Sequence, residues 1–140
     1  MNRSAPNFNN SFVSLLSTGL DSPIATYLLM NKGFSCYAVS FLSEFDSSKK
    51  NEKKLNKLAK KLLNLTQNSI RVYYVNYKET LELFKKRNSE KIRCLLCKRT
   101  MFRIAKEIAN KHGSKFIVTG EILGEQASQT LDNLYVINQI

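Results

Sequence analysis

Residues 17–22 read Ser-Thr-Gly-Leu-Asp-Ser, so hydroxyls, a glycine and a carboxylate are concentrated in six positions. They follow a short apolar run, residues 12–16, that predicts a buried strand ending in a loop. A helix is expected to follow directly, and a helix N-terminus offers free N–H groups and a partial positive charge to phosphate. Because Gly19 lets the backbone approach a ligand closely, and Ser17 and Ser22 can donate hydroxyls, we interpret the segment as a phosphate-binding loop. The alternative is a polar strand-to-helix turn.

Asp21 is the carboxylate of this loop, and beside a triphosphate it would be repelled unless a cation intervened. We therefore expect Asp21 to be a catalytic residue that holds Mg²⁺, directly or through water. The alternative is an acidic residue that favours a helix N-terminus. No lysine follows the loop, so the segment does not match the G-x-x-x-x-G-K-[ST] pattern of ordinary P-loop nucleotidases.

Cys94 and Cys97 are separated by two leucines and followed by Lys98 and Arg99. Neighbouring cations lower the pKa of a thiol, so both cysteines are candidate catalytic residues with reactive thiolates. The alternative is packing, because Cys97 lies four residues before Met101 on an apolar stripe.

A four-ligand zinc site formed by this chain alone is not expected. His112 lies fifteen residues beyond Cys97, which corresponds to ~22 Å along a helix. Cys36 begins a predicted strand, ~16 Å from the end at which a ligand would bind. A four-ligand metal site that includes Cys94 and Cys97 would therefore need a ligand from outside this chain or beyond its last residue.

Strand and helix patterns alternate along the chain. Strands are expected at residues 12–16, 36–41, 70–75 and 115–119. Between the first two, a helix is expected with Ser22 as its N-cap and Gly33 near its end, and Ile24, Tyr27 and Leu28 share one of its faces. Residues 42–51 are expected to form a loop. A lysine-rich helix follows, with an apolar stripe at Leu55, Leu58, Ala59, Leu62 and Leu63.

Residues 78–112 are expected to be helical with a break near Asn88, and a last helix is expected to begin near Ser128. The alternation predicts an α/β fold with a doubly wound parallel sheet covered on both faces. No strand pattern follows the last helix, so we expect the sheet to be truncated after its fourth strand. We expect residues 1–11 to form a flexible tail and residues 12–140 to form one domain.

Composition narrows the class of protein. The chain has 140 residues, of which 43% are hydrophobic, which is enough for one packed domain. Neither an apolar run of the ~20 residues that a membrane span needs nor a signal-peptide pattern is present, so we expect a cytoplasmic protein without membrane association. A net charge of +11 favours nucleic acid as a partner, although a solvated basic surface would give the same composition.

The loop resembles the pyrophosphate loop, usually SGGxDS, of the ATP pyrophosphatase (PP-loop) superfamily, with Thr18 where the family usually has glycine. Two longer segments resemble the tRNA 4-thiouridine sulfurtransferases. They are LLSTGLDSPIATYLLMNKGFSCYAVSF, residues 15–41, and residues 97–138, which contain a T-G-E-x-L-G-x-x-A-S-Q-T run. The resemblance covers nearly the whole chain from Phe12 onward, and it implies an adenine nucleotide alpha hydrolase-like, Rossmann-like fold.

The resemblance also implies which residues contact the nucleotide. The adenine would lie near Ser40 and Phe41, and Lys98, where the family often has arginine, and Arg99 would meet the α-phosphate or RNA. The implied ATP-binding residues are Leu15, Leu16, Ser17, Thr18, Gly19, Leu20, Asp21, Ser22, Ser40, Phe41, Lys98, Arg99, Gly120 and Gln129. In some members of the family, and in related tRNA thiolases, a CxxC at the position of Cys94 and Cys97 helps to bind an iron–sulfur cluster.

The implied function is ATP-dependent adenylation of a tRNA uridine, followed by sulfur transfer that gives thiouridine. ATP and Mg²⁺ would be required, and sulfur would come from a donor protein or from sulfide. Full-length enzymes of this family carry an N-terminal THUMP domain that binds tRNA, so a homodimer or a separate THUMP-type partner is expected to assist this chain. Two alternatives are a nucleotide- or RNA-binding module without adenylation activity, and a PP-loop enzyme with another substrate.

Overall fold

The computed structural model describes residues 10–43 and 48–121, which form four strands and four helices in strict alternation apart from one helix pair. The strands are β1 (Ser11–Leu15), β2 (Ser35–Leu42), β3 (Ile70–Asn76) and β4 (Ile117–Val118). The helices are α1 (Asp21–Met30), α2 (Ser48–Thr66), α3 (Lys78–Arg87) and α4 (Glu90–His112). Within the described ranges, no helix is long and apolar enough to cross a membrane.

The strands form one parallel sheet in the order β3-β2-β1-β4. The chain therefore moves outward from β1 to β3 and then returns to the other side of β1. This reversal places a topological switch point between β1 and β4, and in such sheets ligands bind at the carboxyl ends of the strands beside that point. The predicted α/β fold with a parallel sheet is confirmed.

Helices cover both faces of the sheet. On one face, Phe12 and Cys36 of the sheet pack with Met30 of α1 and with Leu55 and Leu62 of α2. On the other face, α4 packs Ala105 and Ala109 against Val13, Tyr37 and Val39. Because alternate residues of β1 point to opposite faces, Phe12 and Val13 enter different cores and both are fully buried.

Helix α1 is held to the sheet by hydroxyl groups as well as by apolar packing. Thr26 is fully buried, its hydroxyl donates to the carbonyl of Ser22 at 2.7 Å, and it lies 2.6 Å from the hydroxyl of Ser14 on β1. Of the three residues that we expected on one face of this helix, Ile24 and Leu28 are 57% and 56% exposed, whereas Tyr27 is partly buried against the core. Polar burial at this position keeps the start of α1 in a fixed orientation to the end of β1.

Most predicted elements are confirmed to within two residues. The break near Asn88 separates α3 from α4, and Gly113 ends α4 at a left-handed C-cap. The loop prediction for residues 42–51 is wrong at both ends, because Leu42 completes β2 and α2 already begins at Ser48. The predicted helix near Ser128 lies outside the described residues.

Candidate functional site

The loop between β1 and α1 is braced by its own serines. The backbone N–H of Ser17 donates to the hydroxyl oxygen of Ser22 at 2.9 Å, and the two hydroxyl oxygens lie 3.0 Å apart. The N–H of Gly19 donates to the Ser17 hydroxyl at 3.3 Å. Ser22 is buried, whereas residues 17–21 are exposed. The loop is therefore fixed at its two ends and open to solvent between them.

The first turn of α1 begins in this loop, but not as the sequence suggested. We expected Ser22 to be the N-cap; that prediction is wrong, because the N-cap is Leu20 and no side chain caps the helix. The Ser22 hydroxyl instead joins the two ends of the loop. Pro23 has no N–H, the Ile24 N–H donates to the Leu20 carbonyl, and the Ser22 nitrogen lies against Gly120. Within the described residues, the first-turn N–H that is left to meet an anion is therefore that of Asp21, the first helical residue.

Thr18 fits the loop without backbone strain. Gln67 is the only non-glycine residue with a positive φ in the described part of the chain, so Thr18 does not occupy the left-handed region. Gly19 also has an ordinary φ, and a Cβ there would lie 3.4 Å from the Ser17 hydroxyl, which is a normal contact. The threonine that stands where the resembling family has glycine is therefore compatible with the loop conformation.

Gly120 is the residue that the geometry requires to be glycine. A Cβ at this position would lie 2.5 Å from the backbone nitrogen of Ser22 and 2.8 Å from the carbonyl carbon of Asp21. The segment after β4 thus packs directly on the first turn of α1. Gly120 lies against the backbone of Asp21 and Ser22, where a larger side chain would not fit, and this accounts for the glycine in the T-G-E run.

A cleft of about 230 Å³ opens at the carboxyl ends of β1 and β2. The Ser40 hydroxyl donates to the carbonyl of Leu16 at 2.8 Å and so holds the two strand ends together beneath it. The predicted nucleotide-binding residues that line the cleft are Leu15, Leu16, Ser17, Thr18, Ser40 and Phe41. The lining residues that we did not predict are Val39, Leu42, Asn51, Leu55 and Met101.

Sequence reasoning missed the wall of this cleft for identifiable reasons. The sequence predicts a loop at Asn51, but this residue lies at the start of α2. The spacing of Leu55 predicts a residue of the core stripe and gives no sign that it also lines the cleft. Met101 was read as one member of the apolar stripe of α4. Leu55 contributes both to the core and to the cleft, and helical periodicity alone does not separate these two roles.

Lys98 forms an ion pair with Glu121, in which the ammonium nitrogen lies 2.9 Å from a carboxylate oxygen. Both side chains are largely buried, with 16% and 24% of their surface exposed. The N–H of Glu121 also donates to the Thr119 hydroxyl at 3.3 Å. Sequence reasoning missed Glu121, although the T-G-E run was a signal that could have indicated it. Arg99 is half-buried, and neither basic residue lines the cleft.

The two cysteines of α4 differ in environment. Cys94 is exposed, whereas Cys97 is partly buried and its pKa is raised, chiefly by desolvation. A hydrogen bond from Tyr77 and the charge of Arg93 lower the pKa of Cys97, but they do not outweigh burial. The expectation that adjacent cations activate both thiols is therefore wrong for Cys97. The positive charge of Lys98 is engaged by Glu121 instead.

The cysteine pair lies near the cleft but does not line it. Cys97 precedes the lining residue Met101 by four positions, so the two are separated by ~6 Å along α4. In the described part of the chain, no three His, Cys, Asp or Glu side chains come together to hold a metal ion. Gln129, the remaining predicted nucleotide contact, lies outside the described residues.

Tyr77 links the end of β3 to the cysteine helix. Its buried hydroxyl donates to the carbonyl oxygen of Cys97 at 3.3 Å, and its ring packs edge-on against Phe41 with centroids 5.3 Å apart. Burial is the main cause of the raised pKa of Tyr77, so the phenol stays protonated. Tyr77 therefore fixes α4 relative to the strand end at which Phe41 lines the cleft.

The chain is similar to known proteins along nearly its whole length. Residues 8–140 match the family described as Thiamine biosynthesis protein (ThiI). The chain is 39% identical over 127 residues to a "Probable tRNA sulfurtransferase" of Thermococcus kodakarensis, which covers 91% of this chain and 33% of that protein. It is 37% identical over 126 residues to the protein of the same name in Bacillus subtilis, which covers 90% and 31%.

Solved structures show the same architecture. The chain is similar to a 4-thiouridine synthetase crystallised with RNA and bound ATP, with a TM-score of 0.86 and 34% identity over 93% of this chain and 34% of that one. A likeness to the NMN synthetase of Francisella tularensis, with a TM-score of 0.55 and 17% identity over 75% of this chain and 43% of that one, shows the fold alone. The chain spans about a third of the length of the relatives named here. With the family match covering nearly its whole length, this chain belongs to the ThiI family.

Proposed function

We propose that this chain is the PP-loop domain, residues 12–140, of an ATP-dependent tRNA sulfurtransferase. The observation that carries the proposal is the cleft, which lies between the phosphate loop and the end of β2 and is lined by six of the residues expected to contact ATP. The relatives named tRNA sulfurtransferase, and the similar synthetase crystallised with RNA and bound ATP, indicate the substrates.

ATP would bind with its phosphates on the loop and its base against the apolar wall. The exposed backbone of residues 17–21, which ends at the first residue of α1, suits the phosphates because Thr18, Leu20 and Asp21 carry backbone N–H donors. Leu16, Phe41 and Leu55 offer apolar surface to a purine ring. Gly120 holds the loop in this conformation by packing behind Ser22.

Asp21 fits the role of a magnesium ligand. It is exposed in the first turn of α1, beside the loop that would hold the phosphates. A bound Mg²⁺ would neutralise negative charge on the pyrophosphate as it leaves. The N–H groups at the start of α1 would stabilise the same developing charge.

The proposed reaction has two steps. The uridine carbonyl oxygen attacks the α-phosphorus of ATP, the bond to the β-phosphate oxygen breaks, and pyrophosphate leaves. A sulfur nucleophile then adds to the activated ring carbon, the carbon–oxygen bond breaks, and AMP leaves with the former uridine oxygen. The result is a thiouridine, AMP and pyrophosphate.

The sulfur carrier in this proposal is Cys94, with Cys97 as its partner. Cys94 is exposed and one helical turn from Cys97, so a donor could load it as a persulfide. The terminal sulfur of the persulfide attacks the uridine. The Cys97 thiolate then attacks the Cys94 sulfur, the bond between Cys94 and the transferred sulfur breaks, and a Cys94–Cys97 disulfide is left that a thiol reductant must reduce. Two cysteines without a third ligand among the described residues do not form a complete iron–sulfur site, so no step is assigned to a cluster.

Measuring pyrophosphate release from ATP, with and without unmodified tRNA, tests the proposal. We expect release that depends on tRNA and on Mg²⁺, with AMP formed in equal amount once a persulfide donor and a thiol reductant are supplied. ATP binding without any pyrophosphate release, in the full-length protein as well as in this chain, would instead identify a binding module. Release stimulated by a small carboxylate rather than tRNA would identify a different PP-loop substrate.

A further inference from the structure

Helix α2 carries lysines on one side along most of its length. We call the lysine stripe the set Lys50, Lys53, Lys54, Lys57, Lys60 and Lys61, all of which are exposed. At 100° per residue they occupy about a third of the helix circumference. The opposite side carries Leu55, Ala59 and Leu62, which are buried against the sheet.

The stripe concentrates six positive charges on one side of α2. Glu52 is the one acidic residue in the sequence of α2. Desolvation is the main cause of the raised pKa of Tyr74, and the charge of the nearby Glu52 carboxylate raises that pKa further. None of the six lysines forms a salt bridge with another residue of the described ranges 10–43 and 48–121. Among the described residues, the charge of the stripe is therefore not engaged by a carboxylate partner.

This arrangement opposes the local stability of the helix. Lysines at spacings of three and four residues repel each other, as Lys50 and Lys54 or Lys57 and Lys61 do. The first turn of α2 contains no acidic residue, so no side chain of that turn compensates the partial positive charge of the helix N-terminus. The buried leucines pack α2 on the sheet, and this packing does not require lysine at the exposed positions of the stripe. A pattern that local energetics disfavours and packing does not require indicates a binding surface.

The stripe begins beside the cleft. Asn51 and Leu55 line the cleft, and Lys50 and Lys54 immediately precede them in the sequence. From Lys50 to Lys61 the stripe extends for ~16 Å along the helix, away from the carboxyl edge of the sheet. A polymer with its reacting unit at the mouth of the cleft, beside the bound ATP, would thus meet a row of positive charges spaced about one helical turn apart.

The chemistry of the surface selects one kind of partner. A membrane-bound amphipathic helix needs a free apolar face, but that face of α2 is already packed on the sheet. A polymer of evenly spaced phosphates matches a long row of lysines without acidic or aromatic interruption. We propose that the lysine stripe binds the phosphate backbone of the RNA substrate, next to the cleft that ATP occupies.

This inference rests on the proposed function and adds the surface through which the RNA is held. Lysine contacts to phosphate do not read sequence, so the stripe positions the RNA and leaves selection of the uridine to other parts of the protein. Binding through the stripe is expected to weaken steeply as salt rises, because each phosphate that is neutralised releases a counterion.

Two matched triple variants test the stripe. The first is Lys54→Gln, Lys57→Gln and Lys61→Gln; the control is Arg103→Gln, Lys111→Gln and Lys115→Gln, which removes the same charge from exposed positions on and after α4. The probe is a labelled, unmodified tRNA transcript, and anisotropy is measured from about 50 to 200 mM KCl. ATP binding is measured on the same proteins.

We expect the stripe variant to bind tRNA about tenfold or more weakly at 100 mM KCl, with a salt slope smaller by about 2 to 3. The control should change affinity by less than about threefold, and ATP binding should be unchanged in both. The single substitution Lys57→Gln, which keeps five of the six charges, should reduce the salt slope by about 1. It keeps the test valid if the triple variant does not fold.

Equal losses in the two triple variants would show that only net charge matters and would overturn the inference. So would an unchanged salt slope in the stripe variant, or a stripe that binds vesicles of anionic lipid while tRNA binding is unaffected. If the stripe variant loses tRNA binding but the wild-type chain in its full-length protein releases no pyrophosphate, the stripe stands and the proposed function fails. If the stripe variant keeps its tRNA affinity and pyrophosphate release still depends on tRNA, the proposed function stands and the stripe inference fails.

Discussion

The ammonium nitrogen of Lys98 lies 2.9 Å from a carboxylate oxygen of Glu121, and this ion pair joins helix α4 to the segment that packs on the phosphate loop. Gly120, the preceding residue, lies against the backbone of Asp21 and Ser22. The pair therefore connects the helix that carries the two cysteines to the loop that would hold the phosphates. This connection assigns to Lys98 a structural role in addition to any contact with a ligand.

Removing the partner of Lys98 should destabilise this connection. In Glu121→Gln the ammonium group would remain largely buried without its counter-charge, so we expect the free energy of unfolding to fall by about 1–3 kcal/mol. Chemical denaturation measures this change. Glu107→Gln, which removes an exposed carboxylate from α4, should shift stability by less than about 0.5 kcal/mol. Equal effects of the two substitutions would mean that the ion pair contributes nothing specific.

A methyl group at position 120 should disturb the phosphate loop. Gly120→Ala places a Cβ 2.5 Å from the Ser22 nitrogen, so the start of α1 must move. We expect a loss of stability of about 1–3 kcal/mol and a clear loss of ATP affinity measured by calorimetry. Gly19→Ala, whose Cβ meets only the Ser17 hydroxyl at 3.4 Å, should leave stability within about 1 kcal/mol of wild type. Unchanged ATP affinity in Gly120→Ala would contradict the packing described here.

The carboxylate of Asp21 should matter for turnover rather than for folding. Because Asp21 is exposed and makes no capping hydrogen bond, Asp21→Ala should keep the fold while pyrophosphate release falls by about 100-fold or more. Glu79→Ala removes an exposed acid from the first turn of α3 and is the matched control, with unchanged turnover. Normal turnover of Asp21→Ala would remove the proposed metal role.

The three thiols should differ in reactivity. Cys94 is exposed, Cys97 is partly buried with a raised pKa, and Cys36 is fully buried with a pKa raised by desolvation, so iodoacetamide should react in that order. Mass spectrometry of the alkylated peptides measures the rates. Alkylation of Cys97 should accelerate at a higher pH than that of an ordinary thiol. Reaction of Cys36 at the same rate as Cys94 would contradict this order.

Serine substitutions separate sulfur transfer from packing. Cys94→Ser should stop thiolation and spare tRNA-dependent pyrophosphate release, because the phosphate loop carries separate chemistry. Cys97→Ser should have the same effect on thiolation and should also lower stability slightly, since its side chain is partly buried. If both variants lose stability and keep normal thiolation, the cysteines only pack.

His112 should make stability depend on pH. Its ring stacks on Tyr37 with centroids 3.9 Å apart, its Nε2 lies 2.7 Å from the Tyr73 hydroxyl, and its pKa is lowered by desolvation and by the charges of Lys111 and Arg71. A lowered pKa means that the folded state favours the neutral ring. The stabilisation is therefore fully present above the unfolded pKa of about 6.5 and is lost as pH falls below it.

Thermal denaturation between about pH 7.5 and 5.5 measures this dependence. The Tm of the wild-type chain should fall over this interval as pH decreases. His112→Gln keeps a polar side chain without the titration, so its Tm should fall less over the same interval. Parallel curves for the two proteins would exclude His112 as the source.

The order of strands and helices could be predicted from sequence because it depends on local periodicity and on punctuation by glycine and by polar turns. Apolar runs as short as residues 12–16, and the stripe of Leu55, Ala59 and Leu62, allow few alternatives once they alternate along the chain. The loop between β1 and α1 was predictable for the same reason, since six adjacent residues contain hydroxyls, a glycine and a carboxylate. The carboxyl ends of parallel strands share one edge, so the position of Ser40 beside that loop followed from the fold class.

The tertiary structure decided what depends on contacts between distant segments. The sequence could not show that Lys98 pairs with Glu121, 23 residues away, or that Gly120 packs on Ser22, because these contacts form only when α4 and β4 return to β1. It also could not show that burial outweighs the nearby cations at Cys97, since desolvation depends on how deeply the helix packs. The Ser22 hydroxyl likewise bonds Ser17 instead of capping α1, because the loop curves back on itself.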